Sequence, residues 1–286
     1  MTNEMRELVA RAQSGDADSQ FDLGRAFALG VDGFPQNTAE GILWLKACRD
    51  RVWGANNLLI GMSMSERFGP QNPELLIESF EKLVYVHKDV RAMVTFGAIL
   101  CGDFYNRHIN EERGGIPVLA EKPYNNPARG FRLIEEGVKI AESMPENPLG
   151  YGEYDEISSA YHNETKKLHR KESSGSSCFS RSESIAALTK KADYAQKTLV
   201  ALKQGRGVSE QEKEHMAELI KIAEDFAAGA NGELNHRKSA IEIATKNVRM
   251  LRQMRLAEIA DAAEKAYESF DYEKGDAIVN THKNSL

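Results

Sequence analysis

The first half of the chain alternates short amphipathic helical patterns with turns rich in Gly, Pro and Asn. In the clearest copy, residues 12–30, Leu23, Gly24 and Phe27 recur at the three- and four-residue spacing that places side chains on one face of a helix. A turn then leads to a second amphipathic pattern at 39–47. The two patterns predict a helical hairpin, which must stack on neighbours to bury its apolar face.

Two further copies of the first helix follow. Gly61 lies 37 residues after Gly24, and Gly97 lies 36 residues after Gly61; each follows a large apolar residue. Small residues at these positions let two helix backbones approach. We therefore expect a bulky side chain at Gly24 or Gly61 to cost about 1–3 kcal/mol through overpacking.

The second helices of these copies are predicted at 73–86 and from Pro127 onward, since Pro suits the first turn of a helix. Before Pro127, residues 106–126 show no apolar period. An insertion of this length is typically functional or disordered. After it, 128–134 repeats the pattern of 39–45, each position 89 residues on.

The copy at 12–47 resembles a Sel1-like repeat, a relative of the tetratricopeptide repeat. The matching residues are Ala12, Gly15, Leu23, Gly24, Gly30, Ala39 and Ala47. Phe27 replaces the usual Tyr, and Trp44 lies near the position of the family's second-helix aromatic. The resemblance covers residues 5–165 and implies an all-α fold, a right-handed α/α superhelix or solenoid.

In this family the first helices of the repeats line a concave groove that holds a peptide or another protein. The positions of this chain that correspond to that groove are Asp22, Arg25, Met62, Glu66, Thr95, Asp155 and His162. Their charges are mixed, so no ligand charge is implied. Since such a surface binds by summed contacts, we expect substitution of Arg25 or Glu66 to weaken a partner without unfolding the protein.

Three regions are predicted along the chain. They are a repeat domain at 1–168 with about four degenerate repeats, the last a half-copy from Pro148, a Ser-rich linker at 169–184, and a C-terminal helical region at 185–286. The last region reads as a bundle or a long-helix segment, with helices at 184–204, 209–228 and 235–270. The third of these either breaks, packs across the others, or pairs with a second copy in a homodimer.

The segment 166–206 has ten Lys and Arg against three acids. It could dock on phosphates or an acidic partner; the alternative is a solvated linker and helix face. The candidate docking residues are Lys166, Lys167, Arg170, Lys171, Lys190 and Lys191.

Composition excludes several classes of function. The net charge of −6 and pI near 5.8 argue against a general nucleic-acid binder. The sequence shows neither a signal peptide nor a membrane-spanning run. The cysteines, Cys48, Cys101 and Cys178, are too few and too irregular for a disulfide framework. We therefore expect a reduced, cytoplasmic protein, of bacterial type.

Motifs for catalysis are scarce, and no nucleotide, zinc or hydrolase signature is present. Cys101, Asp103 and His108 form the best catalytic candidate; the alternative is a buried core cysteine beside an exposed loop histidine. His162 and His169 share a helical face but lack a third metal ligand nearby. We therefore expect no catalytic residue, metal or cofactor.

Three functions follow in order of support. The first is a non-enzymatic scaffold or adaptor that binds a protein or peptide in the repeat groove. The second is a regulatory or immunity-type subunit that binds a specific enzyme or toxin, using the insertion and the basic segment. The third is an enzyme built around Cys101 and His108. Fold alone does not decide among them.

Overall fold

The computed structural model is built of helices. It describes residues 2–102, 124–173, 181–254, 256–269 and 271–283, with side chains for all of these except 168–173, 181–184 and 283. Within these ranges there are thirteen α-helices and no strand. The predicted all-α class is confirmed, and the right-handed superhelix stays a prediction.

Seven helices and one 3₁₀ turn make up the first of two compact units, residues 1–148. The helices are α1 (Asn3–Gln13), α2 (Ala17–Leu29), α3 (Thr38–Cys48), α4 (Trp53–Met64), α5 (Pro73–Tyr85), α6 (Val90–Leu100) and α7 (Pro127–Ser143). The 3₁₀ turn, Glu66–Phe68, follows α4. Each helix packs on the next in chain order. We call α2, α4 and α6 the A helices, and α3, α5 and α7 the B helices.

Apolar side chains fill the spaces between successive helices of this unit. Ala12 and Leu23 belong to a cluster with α1, α2 and α3; Leu45 and Leu59 belong to the next; Phe80 and Phe96 stack in the third, with ring centroids 5.5 Å apart. The predicted hairpins therefore bury these side chains against neighbouring helices.

Six helices make up the second unit, residues 149–286. They are α8 (Tyr151–Ser173), α9 (Arg181–Lys203), α10 (Glu210–Lys213), α11 (Met216–Gln253), α12 (Ala257–Glu268) and α13 (Tyr272–Lys283). α9 packs on both α8 and α11, and α12 packs on both α11 and α13. The 38-residue helix α11 packs on α9, α12 and α13.

Two apolar clusters line α11. Its first half meets α9 through small side chains such as Ala227 and Ala230, with Leu234 at the end of the row. Its second half meets α12 and α13 around Leu251 and the fully buried Tyr267. The sequence pattern divides this stretch into separate helices at 209–228 and 235–270. That division is wrong, because Ala227, Ala230 and Leu234 keep the helical spacing through the glycines between them.

The observed division of the chain lies between Pro148 and Leu149, whereas the sequence pattern places it after residue 168. The physical reason is that α8, which contains the fourth half-copy, packs on α9. The Ser-rich segment 169–184 is also shorter than expected, because α8 continues to Ser173 and α9 begins at Arg181. Residues 174–180, and 103–123 of the insertion, lie outside the described residues.

Candidate functional site

The three A–B hairpins are closed by the same backbone hydrogen bond. In each, the Asn before the B helix donates its N–H to the carbonyl oxygen near the end of the A helix. The bonds are Asn37 to Phe27 (2.8 Å), Asn72 to Ser63 (3.0 Å) and Asn126 to Leu100 (2.8 Å). The accepting residues lie eleven positions after the helix N-caps Asp16, Val52 and Asp89. The third hairpin thus closes like the others despite its insertion.

The same three Asn residues are also side-chain N-caps. Their Oδ1 atoms accept the N–H of Glu40, Leu75 and Arg129 at 3.2, 2.9 and 3.1 Å. An Asn N-cap satisfies a helix donor that would otherwise lack a partner. Local chemistry therefore defines the start of every B helix, as the turn signals predict.

Glycines bring the helices of the first and third hairpins together. A Cβ atom on Gly24 would lie 2.8 Å from Leu45, and one on Gly97 would lie 2.7 Å from Ile134. Leu45 and Ile134 each lie eight residues after the N-cap of their B helix. Gly24 and Gly97 likewise lie eight residues after the N-cap of their A helix. The match between the 39–45 and 128–134 patterns is therefore confirmed by equivalent contacts.

The second hairpin has a different contact, and the predicted role of Gly61 is wrong. Counted from the N-cap Val52, Ile60 is the equivalent of Gly24 and Gly97. A Cβ atom on Gly61 would meet nothing within 4 Å. The sequence match aligned the glycines themselves and so shifted this helix by one residue.

The shift also changes one predicted groove residue. Met62 is 3% exposed and packs in the core around Leu59, where it is equivalent to Ala26 of α2. Its neighbour Gly61 takes the exposed position that Arg25 has on α2. Met62 is therefore a core residue and is not available to a ligand.

Five exposed positions and one half-buried position of the A helices recur at equivalent places. We call the following set the A-helix face: the exposed Asp18, Asp22, Arg25, Gly61 and Arg91, and the half-buried Thr95. These residues lie two, six or nine positions after their N-caps. Within the face, Arg25 forms an exposed pair with Asp32 at 3.4 Å, which contributes little to stability. Of the other groove candidates, Glu66 is exposed in the 3₁₀ turn, and the half-buried Asp155 and His162 belong to the second unit.

The B helices are linked by side chains that the sequence reasoning missed. Glu78 accepts from both Lys46 and Arg49 at 3.1 Å, and Lys82 pairs with Asp50 at 2.8 Å. The hydrogen bond from Lys46 is the main cause that holds the pKa of Glu78 below its usual value. Lys46–Glu78 and Asp50–Lys82 are each separated by 32 residues, close to the repeat period, and this spacing is the signal that could have found them.

α7 is tied to the same layer by Arg129. Its guanidinium pairs with Glu81 at 2.8 Å, donates to the hydroxyl of Tyr85 at 3.1 Å, and lies over the ring of Phe96. Ion pairs between side chains therefore join α5 to both α3 and α7.

The candidate basic docking segment is divided by the structure. Lys166 and Lys167 are exposed, whereas the side chains of Arg170 and Lys171 lie outside the described part. Lys190 lies over the ring of Tyr161, 5.5 Å from its centroid. Lys191 is only 4% exposed and pairs with Glu233 of α11, so it is a structural residue rather than a docking residue.

His162 lies beside this pair. Its ring makes an edge contact with Phe226 at 6.1 Å between centroids. Burial is the largest cause that lowers the pKa of His162, followed by the positive charges of Lys191 and Lys166; Glu233 opposes them. The imidazole is therefore stabilised in its neutral form.

The cysteines described here are buried. Cys101 is 3% exposed, and its thiol points to the carbonyl of Pro127 at 3.9 Å. Burial raises the pKa of Cys48 to about 11, which disfavours a thiolate. Asp103 and His108, the partners predicted for Cys101, lie outside the described residues.

The described residues contain no group of three or more His, Cys, Asp or Glu placed to hold a metal ion. Nor does any helix among them combine the length and apolar character needed to cross a bilayer.

Comparison of the chain with protein-family models, with curated proteins and with solved structures found no match. The Sel1-like resemblance therefore stays a prediction that depends on the residues quoted for it. What the structure adds is the pair of equivalent hydrogen bonds, the closing backbone bond and the Asn N-cap, in each of the three hairpins.

Proposed function

We propose that residues 1–148 act as a non-enzymatic adaptor that binds a protein or peptide on the A-helix face. The observation that carries this proposal is the recurrence of one hairpin closure at Asn37, Asn72 and Asn126. Equivalent hairpins present equivalent side chains at regular intervals. An extended ligand can meet such a surface through many modest contacts.

The distribution of ion pairs supports the choice of face. On the B helices, Glu78, Lys82 and Arg129 join neighbouring helices. On the A-helix face, Asp22 is exposed and Arg25 makes only a long surface pair. Replacing polar groups of this second kind leaves the packing intact, which suits residues that recognise a partner.

The test is an affinity capture with the full chain from its native host, followed by binding measurements with each recovered protein. Arg25→Glu and Thr95→Arg change the A-helix face. Lys139→Glu, an exposed site on α7, is the matched control. We expect the first two variants to weaken binding and the control to preserve it.

The identity of the captured proteins separates the two leading functions. Several partners that share sensitivity to Arg25→Glu support an adaptor. One stoichiometric enzyme or toxin whose activity changes on binding supports the regulatory or immunity-type alternative. Binding that is equal in the parent chain and in both A-helix variants contradicts the proposed face.

A further inference from the structure

Helix α11 has a second face whose side chains are exposed. Two series of exposed residues run along it at seven-residue intervals. We call them together the α11 heptad face: Ile222, Gly229, His236 and Ile243, and Asp225, Gly232, Ser239 and Lys246. Ile222 and Ile243 are 58% and 55% exposed. The two series have the spacing of the contact positions of a coiled coil, with Ile222 and Ile243 as their apolar members.

A cleft of about 330 Å³ opens at one end of this face, between α11 and α13. Four of its residues, His236, Ser239, Ala240 and Ile243, have the spacing of the four-residue hole that receives one side chain of a facing helix. Tyr272 of α13 adds to the lining. The cleft therefore has the shape and composition to accept an aliphatic side chain.

Charged residues in the first half of α11 are opposite in sign to those that the second half of an antiparallel copy would place against them. When a second α11 is laid antiparallel with its midpoint near residue 231, two opposite-charge pairs face each other. They are Glu218 with Lys246 and Lys221 with Glu242. All four residues are exposed, and within the described ranges none of them forms an ion pair.

The same alignment brings the apolar groups into contact. Ile222 of one copy lies opposite Ser239 and Ala240 of the other, at the mouth of the cleft. Gly229 and Gly232 lie at the crossing point, and a Cβ atom on either would meet nothing within 4 Å. Both helix backbones can therefore approach closely at the centre.

From these features we propose that the protein forms a two-fold symmetric dimer through antiparallel contact of the α11 heptad faces. Ile222 of each copy fills the α11–α13 cleft of the other. Two-fold symmetry makes every contact occur twice. A parallel arrangement in register is disfavoured, because it places each charged residue against its own copy, for example Lys221 against Lys221. This inference is independent of the proposed adaptor function.

The test is the mass of the full chain in solution, measured by sedimentation velocity over a wide concentration range. We expect twice the 31.9 kDa of a single chain. Lys221→Glu alone and Glu242→Lys alone should each raise the dimer Kd by about tenfold, since two pairs are reversed at once. The double variant Lys221→Glu/Glu242→Lys should restore the parent Kd, because the exchanged charges again attract.

Two further variants complete the test. Lys238→Glu makes the same charge change at an exposed site of α11 outside the heptad face and should leave the Kd unchanged. Ile222→Asp should abolish the dimer while far-UV circular dichroism stays that of the parent. A single-chain mass at all concentrations, a dimer unaffected by Ile222→Asp, or failure of the double variant to restore association would each overturn the proposal.

Discussion

Gly130 lies against Gly97 so closely that a Cβ atom on Gly130 would be 2.6 Å from the carbonyl oxygen of Gly97. The same added atom would be 2.7 Å from the thiol of Cys101. One of these neighbours is backbone and the other is buried. The α6–α7 contact therefore has no room for even the smallest side chain.

We expect Gly130→Ala to lower the free energy of unfolding by about 1–3 kcal/mol, because the added methyl group forces the two helices apart. The measurement is denaturant unfolding followed by tryptophan fluorescence. Both tryptophans, Trp44 and Trp53, lie in residues 1–148, so this signal reports on the unit that carries the change.

Gly61→Ala is the control and should have the opposite sign. The site is helical and its added methyl group meets nothing within 4 Å. Ala is favoured over Gly inside a helix by about 0.5–1 kcal/mol, so stability should rise. Equal destabilisation by the two variants would show that the α6–α7 contact is not specifically tight.

The N-cap of α7 provides a second prediction. Asn126→Ala removes the acceptor for the N–H of Arg129, and we expect a loss of about 1 kcal/mol. Asn126→Asp should retain most of the stability, since a carboxylate accepts the same bond and favours the helix N-terminus. Thermal unfolding of the two variants beside the parent protein checks this. If Asn126→Ala unfolds at the same temperature as the parent protein, the side-chain cap of Asn126 does not stabilise α7.

The neutral state of His162 predicts a pH dependence. Its pKa is lowered in the folded protein, so the unfolded chain binds more protons as the pH falls below about 6.5. Stability is therefore full above that pH and decreases as the pH falls from there toward the folded pKa. Unfolding curves of the full chain, followed by circular dichroism at several pH values across this interval, measure the slope.

His162→Gln should flatten the curve in this window, because it removes the group whose pKa is lowered by burial. Carboxyl groups with lowered pKa, such as Glu78, act in a more acidic window because their unfolded value is near 4.5. A parent protein whose stability is constant from neutral pH down to about 5 would rule out the proposed role of His162 burial.

The Lys191–Glu233 pair predicts non-additive substitutions. Glu233→Gln leaves the ammonium of Lys191 buried with a weaker partner, and we expect a loss of about 1–3 kcal/mol. The Glu233 side chain is 37% exposed, which keeps this below the cost at a fully buried site. The double variant Lys191→Met/Glu233→Gln should recover part of the loss. A double-mutant cycle by denaturant unfolding gives the coupling energy, and a value near zero would contradict the interpretation.

Much of the first unit could be predicted because its signals are local. Turn residues and N-caps lie beside the helices that they begin, so the starts at Pro73 and Pro127 were found from the sequence. The sequence pattern misplaces Gly61 because a dipeptide of a large apolar residue and Gly does not fix the register of the helix. The distance from the N-cap does. One residue of shift is enough to exchange Met62 and Gly61 between core and surface.

The second unit was harder to predict because its determinants are distant in sequence. Lys191 is indistinguishable from other basic residues until Glu233, 42 residues away, is brought beside it. Tyr267 is likewise fixed by Asn247 and Asp276, which lie 20 and 9 residues from it and hydrogen-bond its hydroxyl. Burial and its hydrogen bond to Asp276 raise the pKa of Tyr267 to about 12. Amphipathic periodicity predicts the helices of this unit but not these partners.

The closing hydrogen bond between Asn126 and Leu100 has a consequence for how this chain can evolve and be engineered. It joins residues 26 positions apart, whereas Asn37 and Phe27 close a hairpin with a separation of only 10. Since each doubling of the length of a connection costs only about 0.6 kcal/mol of chain entropy, the junction can tolerate additional sequence while the closing hydrogen bond keeps the helices aligned. The site between α6 and α7 is therefore a natural point for grafting a reporter, an epitope or a whole folded module.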